Sequence, residues 1–191
     1  MSYVSEVFSY AGQIKEFKKV DWAVYVVWIG LMFGLLAAVG IFLGTGYANG
    51  VQYPVYVWNI PLGIFIFSTA IAFDTIGHRT TYKEELQRAE ALVHHVTIFA
   101  GITSTLLLCG AYTFPEFLRI PTLVFILLSV LYSLIDEAFH WHRYWRMVSD
   151  RVEMTAHFFI FVGHFIMIMA WWHWFDQGYP GVSETLQYLA F

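Results

Sequence analysis

The 191-residue chain is poor in cysteine and in charge, and both shortages narrow the kind of protein it can be. Its one cysteine, Cys109, excludes a disulfide framework and a cysteine-based zinc site. Only 13% of the residues are charged and 59% are hydrophobic, whereas a typical soluble domain is about 25% charged and about 45–50% apolar. A chain of this length cannot bury so much apolar surface in a water-soluble core. A cytosolic enzyme, a nucleic-acid-binding protein and a disordered adaptor are therefore excluded.

Five long apolar segments are present instead, and each approaches the roughly 20 residues that a membrane-spanning helix needs. Stretches rich in glycine, asparagine and proline, and two basic stretches, separate them. The sequence therefore predicts an all-α integral membrane protein with five transmembrane helices and one membrane domain. Its predicted parts are an amphipathic interfacial segment at 1–20, a first span at 22–43, helical hairpins at 55–114 and 120–175, and a tail at 176–191.

Basic residues lie almost entirely on one side of these predicted spans. Nine of the ten lysines and arginines precede the first span or lie between the second and third or the fourth and fifth, and Arg119 is the exception. Cytoplasmic loops of membrane proteins are enriched in lysine and arginine. We therefore expect a cytoplasmic N-terminus and an extracytoplasmic C-terminus, with the lipid bilayer as the principal partner.

The second half of the membrane domain repeats a pattern found in the first. Carboxylate–histidine pairs with a spacing of four residues occur twice in the same order: Asp74/His78, Glu90/His94, Asp136/His140 and Glu153/His157. The two Asp–His pairs are 62 residues apart and the two Glu–His pairs are 63 apart. Since His95 fits the first offset and His94 the second, either could be the counterpart of His157. We interpret the pattern as a parallel repeat of two helical hairpins. These hairpins are the last four of the five predicted spans, and we expect their helices to form a bundle.

These pairs predict a metal centre. Residues four apart on a helix lie about 40° apart around its axis, so each pair presents a carboxylate and an imidazole on one face. The predicted topology places all four pairs at the cytoplasmic ends of their spans. Carboxylates gathered there would repel one another or take up protons unless cations bind. Mixed oxygen and nitrogen ligation suits one or two transition-metal ions, with iron favoured and copper, manganese or zinc as alternatives.

The predicted ligands are Asp74, His78, Glu90, His94, His95, Asp136, Glu137, His140, Glu153 and His157. Glu137 reaches the His140 face and is a candidate bridging or catalytic carboxylate. Tyr132 is a candidate hydrogen-bond donor or redox group on the same helix. His164 lies on the same helix face as His157 and about 10 Å deeper in the membrane. There it could line a substrate cavity, ligate a second cofactor or form a hydrogen bond to another helix.

An alternative interpretation is that these acids and histidines are hydrated interfacial groups paired with nearby basic residues. Arg88 and Arg151, however, point about 160° away from the glutamates two residues further along, so neither is placed as an intrahelical partner. We interpret both arginines as anchors at the membrane surface.

The ligand pattern is similar to that of dimetal carboxylate proteins, in which four helices offer carboxylates and histidines to two iron or manganese ions. It departs from that pattern because only Glu137-x-x-His140 has the Glu-x-x-His spacing. The Asp-x3-His segments also resemble the metal-binding helices of the C subunit of copper membrane monooxygenases. The histidine boxes of membrane fatty-acid desaturases and alkane hydroxylases are absent from the sequence.

Three functions from different classes fit these observations. The preferred one is a membrane oxidoreductase whose dimetal centre activates oxygen to hydroxylate or desaturate a lipophilic substrate, with electrons from a donor or a partner membrane subunit. The second is a divalent-metal transporter or metal carrier. The third is a haem-b protein or an accessory subunit of a larger membrane redox complex.

Overall fold

The computed structural model describes residues 2–81, 88–146 and 150–189, and of residues 88–90 the backbone alone. All regular structure in these ranges is helical. The α-helices are α1 (Tyr3–Gly12), α2 (Lys19–Ala48), α3 (Asn59–Arg79), α4 (Arg88–Ala111), α5 (Pro115–Trp145), α6 (Arg151–Asp176) and α7 (Val182–Leu189). Short 3₁₀ helices, Gln13–Glu16 and Val55–Trp58, precede α2 and α3.

Five segments in the described ranges are long and apolar enough to cross a membrane: Lys19–Ala48, Val55–Arg79, Ala91–Ala111, Pro115–Trp145 and Arg151–Asp176. Their outward faces carry exposed leucine, valine, isoleucine and phenylalanine side chains, as lipid contact requires. The predicted all-α class is therefore confirmed, with five helices that are long and apolar enough to span a membrane. The first span is longer than predicted, because α2 begins at Lys19 and ends at Ala48.

The helices α3–α6 pack mainly in two antiparallel couples, α3 with α6 and α4 with α5. The α3–α6 couple is close because two glycines face each other. A Cβ atom at Gly63 would lie 2.7 Å from the Gly163 carbonyl oxygen, and one at Gly163 would lie 2.8 Å from the Gly63 oxygen. With no side chain at either position, the two backbones touch, as is common where helices cross in membranes.

The predicted hairpins are not the packing units of this bundle. Among the described residues, the backbones of α3 and α4 do not pack against each other although the helices follow each other in sequence, and α5 and α6 share a smaller contact. Each predicted half therefore packs against the other half rather than on itself. The duplication of the hairpins stays a prediction.

At one end of the bundle α3 and α5 finish and α4 and α6 begin; we call this the site end. The far half of the bundle is filled by fully buried apolar side chains: Leu43, Val57, Ile60, Ile64, Leu108 and Ile168. Contacts between such side chains stabilise helix association in lipid through dispersion. The far half is thus a packed apolar core.

The predicted interfacial segment forms α1, which lies against α3 and α6 at the site end. Its Tyr10 ring is buried there, and its Glu6 carboxylate accepts a hydrogen bond from Arg151 Nη2 at 2.5 Å. A second ion pair, between Arg79 and Asp21 at 3.5 Å, joins the end of α3 to the start of α2. Arg151 thus pairs with α1 rather than with an acid of its own helix.

The predicted tail at 176–191 contains a helix that sequence reasoning missed. Gly178, Tyr179 and Gly181 all have positive φ angles of 55–90°, and the chain turns sharply through them into α7. The α7 helix returns onto α2, and Tyr53 and Thr185 hydrogen-bond through their hydroxyls. Thr185, in the middle of α7, therefore ties this helix to the rest of the protein.

Candidate metal centre

Helix geometry alone brings Asp74 and His78 together. They lie one turn apart in the last two turns of α3, and His78 Nε2 is 3.5 Å from Asp74 Oδ1. Asp136 and His140 occupy the equivalent position near the end of α5, and both are buried. The spacing of four residues therefore gives the two matching faces that the sequence predicted.

The start of α6 is fixed by Asp150, its N-cap residue. The Asp150 carboxylate accepts hydrogen bonds from the backbone N–H groups of Val152 and Glu153 at 2.9 and 2.8 Å. This cap sets the rotation of the first turn, and one turn later His157 faces the bundle interior, where it is buried. The capping residue thus positions the histidine that joins the two halves of the site.

Three side chains from α3 and α6 form a compact group that could hold a metal ion. In the first trio (Asp74, His78 and His157), one candidate ligand atom from each residue lies within 4.8 Å of the other two. His157 Nε2 is 2.8 Å from Asp74 Oδ1. All three of these atoms are buried, and none makes a hydrogen bond.

A second trio (Asp136, His140 and His157) meets the same 4.8 Å criterion and shares His157 with the first. The imidazole rings of His140 and His157 stack with their centroids 3.1 Å apart. His94 reaches this trio from α4, with Nδ1 at 3.4 Å from Asp136 Oδ2. Side chains from all four helices of the bundle therefore converge at the site end.

The spacing of the ligand atoms gives the site its chemical character. Asp74 Oδ1 lies within ion-pair distance of both imidazoles. Bonds of about 2.0–2.2 Å from one ion to oxygen and nitrogen ligands would place adjacent ligand atoms about 3 Å apart. The 2.8 and 3.5 Å separations around Asp74 Oδ1 bracket this value. The first trio could thus hold a cation.

Glu153 has a different partner from the one predicted. Its Oε1 atom accepts a hydrogen bond from Arg143 Nη2 at 2.8 Å and lies 3.3 Å from His140 Nδ1. The same Arg143 nitrogen lies 2.7 Å from His140 Nδ1. Arg143 thus turns inward into the site, whereas the sequence pattern placed it among the basic residues of a cytoplasmic loop.

Other predicted site residues lie at the edge of the cluster or away from it. Glu137 is half-buried and outside both trios, although its Oε1 atom is buried without a hydrogen bond. Tyr132 is half-buried and belongs to neither trio of the described residues. His95 is exposed and its Nδ1 atom contacts the carbonyl oxygen of Ala91. Of the two histidines that the repeat left open, the structure brings His94 to the cluster.

His164 lies deeper in the bundle, as its spacing from His157 predicted. It is buried, and its Nε2 atom is 3.2 Å from the Ser129 hydroxyl. This is the hydrogen bond across helices that was one of the predicted alternatives. The side chain of Glu90, the remaining predicted ligand, lies outside the described residues.

Arg143 is the residue of the site that sequence reasoning missed. It follows His140 by three residues and therefore lies on the same side of α5. That spacing was a usable signal, but the neighbouring tryptophans and arginines favoured an interfacial position.

No family model, curated protein or solved structure matches this chain. The fold and the site by themselves define a helical membrane protein with buried Asp and His groups that could bind metal.

Proposed function

We propose that this protein is a membrane metalloprotein in which Asp74, His78 and His157 hold a transition-metal ion, with iron favoured. We further propose that it is an oxidoreductase that activates oxygen to hydroxylate or desaturate a lipophilic substrate. The observation that carries the proposal is the first trio, whose buried ligand atoms lie within 4.8 Å of one another and make no hydrogen bond.

The donor set favours this chemistry over other metal functions. Two imidazoles and one carboxylate with further positions open are the ligands of non-haem iron oxygenases. Magnesium and calcium prefer sites made of oxygen ligands, and a structural zinc site has four protein ligands. When bound, such an iron ion would supply the redox chemistry that activates dioxygen. Asp136 and His94 lie beside the trio and would complete or orient the ligand set.

The surrounding helices support a lipophilic substrate. A groove of about 300 Å³ runs between α1, α3 and α6, and its walls are almost wholly apolar. Phe73 and Ala156 belong to these walls, and each directly adjoins a member of the first trio in sequence. Such a groove would admit an acyl or isoprenoid chain from the bilayer. The packed core of the far half would exclude water from the reacting centre.

Both reactions need an electron donor. Hydroxylation places one oxygen atom of O₂ in a C–H bond and reduces the other to water, which consumes two electrons and two protons beyond the substrate. Desaturation removes two hydrogen atoms from the substrate and reduces O₂ to two waters with the same external input. We propose a membrane partner subunit or a soluble redox protein as the donor.

Metal transport is the second candidate, because polar groups continue inward from the trios. Ser68, Ser129 and His164 are buried about two turns deeper than the Asp and His layer. A transporter also needs a polar path through the far half, and that half is filled by apolar side chains such as Ile64 and Ile168. The enzyme is therefore the better-supported proposal.

The test is metal content and product formation by the purified full-length chain in lipid nanodiscs. We expect bound iron in the wild type and its loss, with loss of product, in His157→Gln. His173→Gln is the matched control, since His173 lies on the same helix but is exposed at the far end. Equal metal content in both variants would contradict the proposed centre. A Soret absorption band would favour the haem alternative, and metal flux into liposomes without oxygen or reductant would favour the transporter.

A further inference from the structure

The two trios cannot both be complete, because they share His157. A neutral imidazole has one nitrogen lone pair and one N–H, so it can coordinate one ion. If His157 serves the first trio, the second keeps Asp136 and His140, with His94 beside Asp136. A second ion would then need the lone pair of His140 and another carboxylate.

Arg143 already occupies that lone pair. A guanidinium can only donate hydrogen bonds, so at 2.7 Å from Arg143 Nη2 the Nδ1 atom of His140 is the acceptor. Neutral His140 then carries its proton on Nε2 and has no lone pair left for a metal. Glu153, whose Oε1 atom lies 3.3 Å from His140 Nδ1, accepts from the same Arg143 nitrogen at 2.8 Å.

The guanidinium nitrogen thus sits where a second cation would sit. His140 Nδ1 and Glu153 Oε1 are 3.3 Å apart and Arg143 Nη2 lies in contact with both. The first trio offers Asp74 and two imidazoles in the same way, but there the described atoms are not hydrogen-bonded. At the predicted 62-residue offset the counterpart of Arg143 is Thr81, which carries no charge.

We propose that Arg143 is a built-in cation that replaces a second metal ion and restricts the centre to one ion per chain. This inference rests on the proposed metal centre. It assigns Glu153 as the counterion of Arg143 rather than as a metal ligand, and it makes the centre mononuclear although the sequence pattern resembles a dimetal site.

Mn²⁺ binding to the full-length protein in nanodiscs tests the proposal, with stoichiometry from elemental analysis and the spin state from electron paramagnetic resonance. We expect one Mn²⁺ per chain in the wild type, with the hyperfine pattern of an isolated ion. Arg143→Met removes the guanidinium from His140 Nδ1 and from Glu153 Oε1, and we expect two ions with a spin-coupled spectrum. The double variant Arg143→Met/Glu153→Gln also removes this carboxylate, and we expect one ion again.

Two coupled ions in the wild type would overturn the proposal, and so would a folded Arg143→Met variant that binds one. Glu153→Gln tests it without changing Arg143, since the amide oxygen can still accept from the guanidinium. We expect this variant still to bind one Mn²⁺ ion per chain with the spectrum of an isolated ion, because Arg143 still donates to His140 Nδ1. Two coupled ions in this variant would contradict the proposal. Failure of the metal centre itself would look different: the wild type would bind no more Mn²⁺ than Asp74→Asn.

Discussion

The Nε2 atom of His157 lies 2.8 Å from Oδ1 of Asp74, and the two buried atoms are not aligned as a hydrogen bond. The residues come from α6 and α3, which the sequence assigns to different predicted hairpins. Their proximity depends on the close crossing of these two helices. The site is therefore sensitive to changes at the crossing as well as to changes of its own side chains.

The glycine contact between α3 and α6 is the first point to test. A Cβ atom at Gly63 would lie 2.5 Å from the backbone nitrogen of Met167, which cannot move aside as a side chain can. We expect Gly63→Ala to lower the free energy of unfolding by about 1–3 kcal/mol, as overpacking does, and to weaken metal binding. Thermal unfolding in detergent would measure the change.

Gly40→Ala is the matched control for that experiment. Gly40 also lies inside a membrane-spanning helix, but a Cβ atom there would meet nothing within 4 Å. Because alanine favours the helix over glycine by roughly 0.5–1 kcal/mol, we expect unchanged or slightly higher stability. Equal losses in the two variants would show that the crossing is not as close as described.

The neighbouring histidines of α4 provide a second comparison. His94 Nδ1 is 3.4 Å from Asp136 Oδ2, whereas His95 is exposed. We expect His94→Ala to weaken metal binding about 10–100-fold, the usual cost of losing a group that orients ligands. His95→Ala should leave the affinity unchanged. Isothermal titration of both variants with the metal would measure the two affinities. A larger loss of affinity in His95→Ala would show that His95, and not His94, belongs to the site.

The docking of α1 should depend on pH. The Arg151 guanidinium holds the pKa of the Glu6 carboxyl below its ordinary value through a hydrogen bond and charge attraction. Since this pKa is lower in the docked state, the pair stabilises docking above the ordinary glutamate pKa of about 4.3. The contribution is lost as the pH falls through the lowered pKa, and added salt weakens it at any pH.

A spin label at Ser9→Cys in a Cys109→Ala background would report that docking. We expect the label to become more mobile as the pH falls below about 4. In the same background, Glu6→Gln should lack this pH dependence because the amide does not titrate. Identical pH profiles with and without Glu6→Gln would mean that another group controls the docking of α1.

The orientation in the membrane is a prediction from charge that can be tested directly. We expect Ser2→Cys to be shielded from a membrane-impermeant thiol reagent in intact cells and Ser183→Cys to be labelled, both in a Cys109→Ala background. Permeabilised cells serve as the reference in which both label. The reverse pattern in intact cells would place the site end of the bundle on the extracytoplasmic side.

Much of the local arrangement follows from the sequence. In lipid, an apolar run of about 20 residues can hydrogen-bond all its backbone N–H and C=O groups only as a helix. The five apolar helices can therefore be predicted from the sequence alone. The four-residue spacing of Asp74 and His78 places both on one helix face for the same geometric reason. The short helix α7 escaped prediction because its hydrophobic pattern covers only eight residues.

Tertiary structure decided which of these faces meet. The bundle could have formed from consecutive hairpins, and the choice of α3 with α6 depends on the fit of Gly63 against Gly163, which no single-helix pattern contains. That fit brings His157 to Asp74, and the packing of α4 against α5 leaves His95 exposed outside the cluster. It also decided the role of Arg143, because an arginine near a helix end can reach lipid headgroups or an inward carboxylate. Here the buried Glu153 is the partner, since an unpaired carboxylate in a low-dielectric interior costs far more than an exposed guanidinium gains at the surface.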